Sequence, residues 1–138
     1  MPTSRSSSAP RILIVEDDAT IALGLRMLLY HWGYDVIAVA ASGEHALVLA
    51  AAEPPDLVLM DVRLEGRMDG IETAAVLRIE HSMPVLFLTA QHDPVTLERL
   101  AASEAGGVML KPVNPDHLRA KIAQLLVERA SVATSAAE

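Results

Sequence analysis

The sequence predicts an α/β domain whose parallel sheet is covered by helices on both faces, and three observations predict it. Four short apolar runs, at 12–15, 57–60, 84–88 and 107–110, end abruptly in residues that carry chemistry: Glu16-Asp17-Asp18, Asp61, Thr89 and Lys111. Apolar runs of this length bounded by charge or hydroxyl read as strands buried on both faces. Between the strands lie segments with helical periodicity, and strict alternation of strand and helix means a parallel sheet wound right-handed. Finally, strands of one parallel sheet deliver their carboxyl ends to a common rim, where open α/β sheets bind ligands, so acids, one hydroxyl and one amine should converge there. The pattern alone leaves the strand order open.

Residues 1–10 are small and polar, with four Ser and two Pro, and are expected to be a disordered N-terminal tail. The first strand, Ile12 to Val15, is closed by three acids; Ala19 to His31 is then helical, with Ile21, Leu25, Leu28 and Leu29 in register and Gly33 as its cap. Asp35 to Ala40 is a second strand. Ser42 N-caps a helix through Glu44, Leu47 and Leu49 that stops at Pro54-Pro55. After the central strand, Met68-Asp69-Gly70 turns the chain into a helix through Ile71, Ala74, Ala75 and Leu77 to about His81. Val85 to Leu88 is the fourth strand. Asp93-Pro94, a cap followed by proline at the first helical position, opens a helix expected to run to Gly106-Gly107, and Asn114-Pro115-Asp116 repeats that grammar before a last helix through Leu118, Ile122, Leu125 and Leu126. The domain is therefore expected over 11–130, with 131–138 a fraying C-terminal tail.

At 138 residues and 51% hydrophobic, with no internal repeat, the chain suits one domain with a single sizeable core. A net charge of −7 with only 11 scattered Lys and Arg argues against a nucleic-acid binder. The absence of cysteine excludes disulfides and thiolate metal sites and fits a reducing compartment. No apolar run approaches the roughly 20 residues needed to cross a bilayer, and the Ser/Pro-rich start lacks the apolar middle of a signal peptide, so a cytoplasmic protein is expected.

Grouped carboxylates without Cys or paired His suit a hard cation such as Mg2+, which prefers oxygen ligands. Packed acids repel, so a cation or Lys111 should neutralise them. A carboxylate can also act as a phosphoryl nucleophile, with metal, lysine and hydroxyl stabilising charge on the phosphoryl oxygens. Asp18 is divided between metal contact and simple N-capping. The five histidines, at 31, 45, 81, 92 and 117, show no ligand spacing. The methionines read as core filling, and Trp32 as closing the first helix against the sheet.

Five pieces in this order, Ile12-Leu-Ile-Val-Glu-Asp-Asp18, Leu57-Val-Leu-Met-Asp61, Met68-Asp-Gly70, Leu88-Thr-Ala90 and Leu110-Lys-Pro112, resemble the receiver domain of two-component response regulators over essentially Arg11 to Arg129. The resemblance implies a flavodoxin-like doubly wound sheet of five parallel strands in order 2-1-3-4-5 with five helices. It implies that Asp61 is the phosphoacceptor, that Glu16 and Asp17 bind the metal together with Asp61 and the backbone carbonyl of Arg63, that Thr89 binds the phosphoryl group and that Lys111 pairs with it. The cofactor is then Mg2+, the donor a phosphohistidine on a sensor histidine kinase or phosphotransfer protein, and the output a phosphorylation-dependent protein contact by a monomer or weak homodimer. Because the chain ends where an output domain would begin, a single-domain regulator is expected.

Departures from the family pattern are Val108 and Val113, where receivers usually carry aromatic residues, and a turn one residue longer after Asp61, with Glu65-Gly66-Arg67 in place of a proline. An aspartyl-phosphate hydrolase is the enzymatic alternative. It generally needs a second acid two residues after the nucleophile, and Arg63 occupies that position, so the protein is read as a receiver that catalyses only its own phosphorylation and dephosphorylation. An interaction module that keeps the fold without phosphorylation is disfavoured by the intact acids, Thr89 and Lys111, with Val108 in its favour.

Overall fold

The structure is a computed structural model that describes residues 9–103 and 105–137, with side chains described as far as Ser131. Five strands, β1 (Arg11–Val15), β2 (Asp35–Ala40), β3 (Leu57–Met60), β4 (Val85–Thr89) and β5 (Gly107–Leu110), alternate with five helices, α1 (Ala19–His31), α2 (Gly43–Ala52), α3 (Gly70–His81), α4 (Pro94–Ala102) and α5 (Pro115–Ala137). All strand pairs are parallel, in the order β2-β1-β3-β4-β5. This is the expected doubly wound sheet, and the chain reverses its direction of winding at β1 and β3, where such sheets open a crevice.

Side chains alternate across each strand, so one sequence supplies two cores. Leu13, Val15, Val58, Met60, Val85 and Phe87 face α2, α3 and α4 through Ala46, Ala50, Ala74, Leu77 and Leu100. Ile12, Ile14, Leu57, Leu59, Leu86 and Leu88 face α1 and α5 through Ala22, Leu29, Leu118, Ile122 and Leu125. Each fully buried large side chain contributes about 1.5–3 kcal/mol over its exposed state, so the three inner strands, buried at every residue but Arg11, dominate the packing.

Helix starts follow their caps. Asp18 accepts from Thr20 N and Ile21 N, Ser42 from His45 N, Asp93 from Thr96 N and Asn114 from His117 N, which satisfies amides that have no partner within the helix. Gly33, at φ +90°, follows the C-cap Trp32. Trp32 packs against the α1/α5 core, with the Arg119 guanidinium 5.8 Å from its ring centroid.

The structure changes four expectations. Pro10 belongs to the fold, since its carbonyl accepts from Asp35 N at 3.0 Å; residues 1–8 of the expected tail lie outside the described residues. Helix α4 ends at Ala102, well short of Gly106-Gly107, because the Ser103 hydroxyl donates to the Leu100 carbonyl and competes with the helical ladder. Helix α5 continues through 131–137, where fraying was expected; Ser131-Val-Ala-Thr-Ser-Ala-Ala137 holds no Gly or Pro to stop it. Strand β5, at the edge as the expected order implies, has one bare face where burial on both was expected, Val108 being 41% and Leu110 51% exposed. No helix among the described residues is long and apolar enough to cross a membrane.

Candidate functional site

The backbone ladder itself aims the site. Glu16 N donates to Ala40 O, Asp61 N to Val15 O and Lys111 N to Thr89 O, each at 2.9 Å, so each strand's pairing runs one residue past its end into the functional side chain. These residues therefore inherit the rigidity of the sheet.

On that rim, carboxylate oxygens of Glu16, Asp17 and Asp61 all lie within 4.8 Å of one another. Glu16 is buried, Asp61 half-buried and Asp17 exposed, so the cluster opens towards solvent through Asp17. Lys111 Nζ donates to Glu16 Oε1 at 2.9 Å and to Asp61 Oδ2 at 3.3 Å. Burial alone would lower the pKa of this amine, but its hydrogen bond to Glu16 and the charges of Asp61 and Glu16 outweigh that and hold it above its ordinary value. The remaining oxygens are oriented by backbone: Glu16 Oε2 accepts from Asp18 N at 3.1 Å and Asp61 Oδ1 from Val62 N at 2.7 Å. Three carboxylates against one ammonium leave a formal charge of −2, and three oxygen donors around a solvent-facing gap fit a hard divalent cation that keeps several of its waters. Asp18 stands outside this group and serves α1 as its N-cap.

Thr89 closes β4 fully buried, its Oγ1 accepting from Gln91 N at 2.9 Å, which leaves the hydroxyl proton free to be donated. The Lys111-Pro112 peptide is cis. Arg63 is exposed and lines an open groove of about 660 Å³ beside the rim, together with Val62, Asp69, His92, Asp93 and Arg99. Asp93 is held below the ordinary carboxylate range by its hydrogen bonds from Thr96, with Arg63 adding to the effect. Of the histidines, His31, His45, His92 and His117 are exposed and His81 is half-buried at the end of α3.

Four residues around the site have contacts that the motifs do not show, although Asp69 and Gly70 belong to the Met68-Asp-Gly70 piece. Asp69 and Glu72 form a capping box on α3, visible in hindsight as acids spaced three apart, and Asp69 also binds Arg99 of α4 at 2.8 Å. Gly70 packs so closely on Asp61 that a Cβ would fall on the Asp61 carbonyl oxygen. Glu44, on α2, accepts from the amides of Arg67 at 2.9 Å and Met68 at 3.3 Å.

Fold and rim together define a doubly wound α/β protein with an acid-centred site at its topological switch point. The profile of the response regulator receiver domain matches residues 12–123, and the chain belongs to that family. Among curated relatives it is 39% identical over 112 residues to the DNA-binding response regulator MtrA of Mycolicibacterium paratuberculosis, covering 81% of this chain and 49% of the relative. It is 35% identical over 113 residues to the transcriptional regulatory protein PdtaR of Mycobacterium tuberculosis, covering 80% and 55%. The chain thus spans about half the length of the curated relatives it matches. The signal receiver domain of a modulated diguanylate cyclase from Desulfovibrio desulfuricans G20 has a TM-score of 0.84 and 36% identity, over 89% of this chain and 98% of that one.

Proposed function

We propose that Asp61 accepts a phosphoryl group from a phosphohistidine of a sensor histidine kinase or phosphotransfer protein, in a Mg2+-dependent reaction, and that the phosphorylated domain signals by binding another protein. The observation that carries this reading is the meeting of the Glu16, Asp17 and Asp61 oxygens around Lys111 Nζ on the rim of a receiver domain. An Asp61 carboxylate oxygen forms the new O–P bond; the P–N bond breaks, its electron pair stays on the imidazole, and the imidazole takes up a proton. Asp61 Oδ1 is held by Val62 N, and its Oδ2 lies against Lys111, so the carboxylate is oriented before the donor arrives. The Lys111 ammonium and the Thr89 hydroxyl then donate to phosphoryl oxygens. Glu16, Asp17, Asp61 and the Arg63 carbonyl would hold Mg2+, which supplies positive charge against that developing on the phosphoryl group.

This chemistry makes the domain the site of its own modification rather than an enzyme acting on a separate substrate. DNA binding is what the name of one relative states of that protein; for this receiver, acidic overall with dispersed basic residues, we assign a protein partner, cytoplasmic placement, and no direct nucleic-acid or membrane contact. The test is a phosphoprotein mobility gel after incubation with a small phosphodonor and Mg2+. The parent should shift, while Asp61→Asn and chelator-treated parent should not. Undiminished labelling of Asp61→Asn would remove the assignment.

A further inference from the structure

We propose that Glu44, on α2 and outside the acid cluster, is a positioning residue that fixes the backbone carbonyl of Arg63 and thereby sets the affinity of the site for Mg2+; this rests on the Mg2+ reading above. The loop that leaves Asp61 is anchored at both ends, with Leu64 between them packed against the core that faces α2, α3 and α4. At its start, Val62 N is bonded to Asp61 Oδ1, and Val62 O accepts from Gly70 N at 2.7 Å. At its far side, Glu44 Oε2 takes the amides of Arg67 and Met68 together, and Glu65 makes an isolated parallel bridge with Ser42, the N-cap of α2. Gly66, at φ +91°, brings the backbone so close that a Cβ there would lie 2.5 Å from Glu44 Oε1. Arg63 and Leu64 bridge these two anchors, so the placement of the Arg63 carbonyl depends on the Glu44 clamp as well as on Asp61. The added residue at 65–67 lengthens the span that the second anchor closes. The N–H of Glu44 itself, and after it the amides of Arg67 and Met68, keep the exposed carboxylate ionised to lower pH than usual.

A purely structural role for Glu44 would alter loop exchange or helix packing without altering metal affinity, so Mg2+ affinity is the discriminating readout. Calorimetric titration of Mg2+ into the metal-stripped full chain should give binding about tenfold weaker for Glu44→Ala, as for loss of a residue that orients a ligand. Glu44→Gln should stay within about threefold of the parent, because its amide oxygen still accepts both N–H groups. Glu44→Asp keeps the charge but withdraws the acceptor, and should resemble Glu44→Ala; this variant also decides the matter if Glu44→Ala loses its helical circular dichroism. At saturating Mg2+, labelling by a small phosphodonor should return to near the parental rate in all three variants. Parental Mg2+ affinity in Glu44→Ala or Glu44→Asp would overturn the role of Glu44 alone, as would a Glu44→Gln loss equal to that of Glu44→Ala. A parent that binds no Mg2+ would overturn both this inference and the metal reading beneath it.

Discussion

The two loops that flank the Asp61 side of the rim are built on different principles. The loop after β3, residues 61–70, adds to its own local bonds and the close packing of Gly70 on Asp61 two partners on distant elements, Glu44 on α2 and Arg99 on α4 through Asp69. The loop after β4, residues 90–93, is held by bonds that span two or three residues: Gln91 N to Thr89 Oγ1, His92 Nδ1 with Ala90 O, and the Asp93 cap on Thr96. Long-range bonds resist motion because several elements must move together, whereas local bonds can travel with their segment. The first loop is thus suited to hold the Asp61 carboxylate in fixed geometry, and the second to follow the Thr89 hydroxyl in the proposed capture of a phosphoryl group.

Breaking the rigid side should have the largest effect. In Gly70→Ala the new methyl must displace the Asp61 carbonyl or the start of α3, and we expect a loss of about 3 kcal/mol in denaturant unfolding, at the upper end of overpacking costs. Labelling by a small phosphodonor should fall with it. Parental stability in this variant would mean that the β3 side is as pliable as the β4 side.

Next comes Lys111→Ala, which leaves the buried Glu16 carboxylate beside Asp61 without its counter-charge. We expect about 2 kcal/mol of destabilisation in the absence of Mg2+, partly recovered on adding Mg2+, since a cation can replace the missing charge. Some phosphorylation should remain while most of the phosphorylation-dependent conformational change is lost. The pH dependence has a definite sign. The folded pKa of Lys111 is raised, so its contribution is complete below the ordinary value of 10.5 and is lost as pH rises through the higher folded value. The stability gap between parent and Lys111→Ala should therefore narrow only in strong alkali; a gap that is flat across that range would contradict the pairing.

The comparison itself is tested by amide chemical shifts with and without a non-hydrolysable phosphoryl mimic. Large changes should fall on Ala90 to Thr96 and small ones on Arg67 to Asp69. Val108 to Leu110 should also be quiet, because Val108 is short, β-branched and already exposed on the sheet edge, and so vacates no ring-sized volume. A pattern centred on Val108 to Leu110 with a quiet Ala90 to Thr96 would reverse this picture.

The smallest effect belongs to Glu44. Its carboxyl is held below 4.5 first by its own backbone N–H and then by the amides of Arg67 and Met68, so this bonding contributes above the unfolded pKa and is lost as pH falls through the folded one. A carbon-detected titration should place Glu44 below the ordinary value of 4.5, and in Glu44→Gln the amides of Arg67 and Met68 should lose that acid-side dependence.

The acids, the hydroxyl and the amine were legible from sequence because each ends an apolar run, and a parallel sheet has only one rim to which it can deliver them. Asp61, Thr89 and Lys111 followed from local pattern, as did the caps Asp18, Ser42, Asp93 and Asn114, whose bonds reach only a few residues along the chain. Tertiary structure decided what depends on distance across the fold. That Lys111 spans Glu16 and Asp61, that the edge strand β5 leaves Val108 bare, and that Glu44 and Gly70 constrain the loop around Asp61 all depend on how separate elements pack. Local periodicity carries no information about such pairs, because the contact energy that selects them exists only once the sheet has set its order.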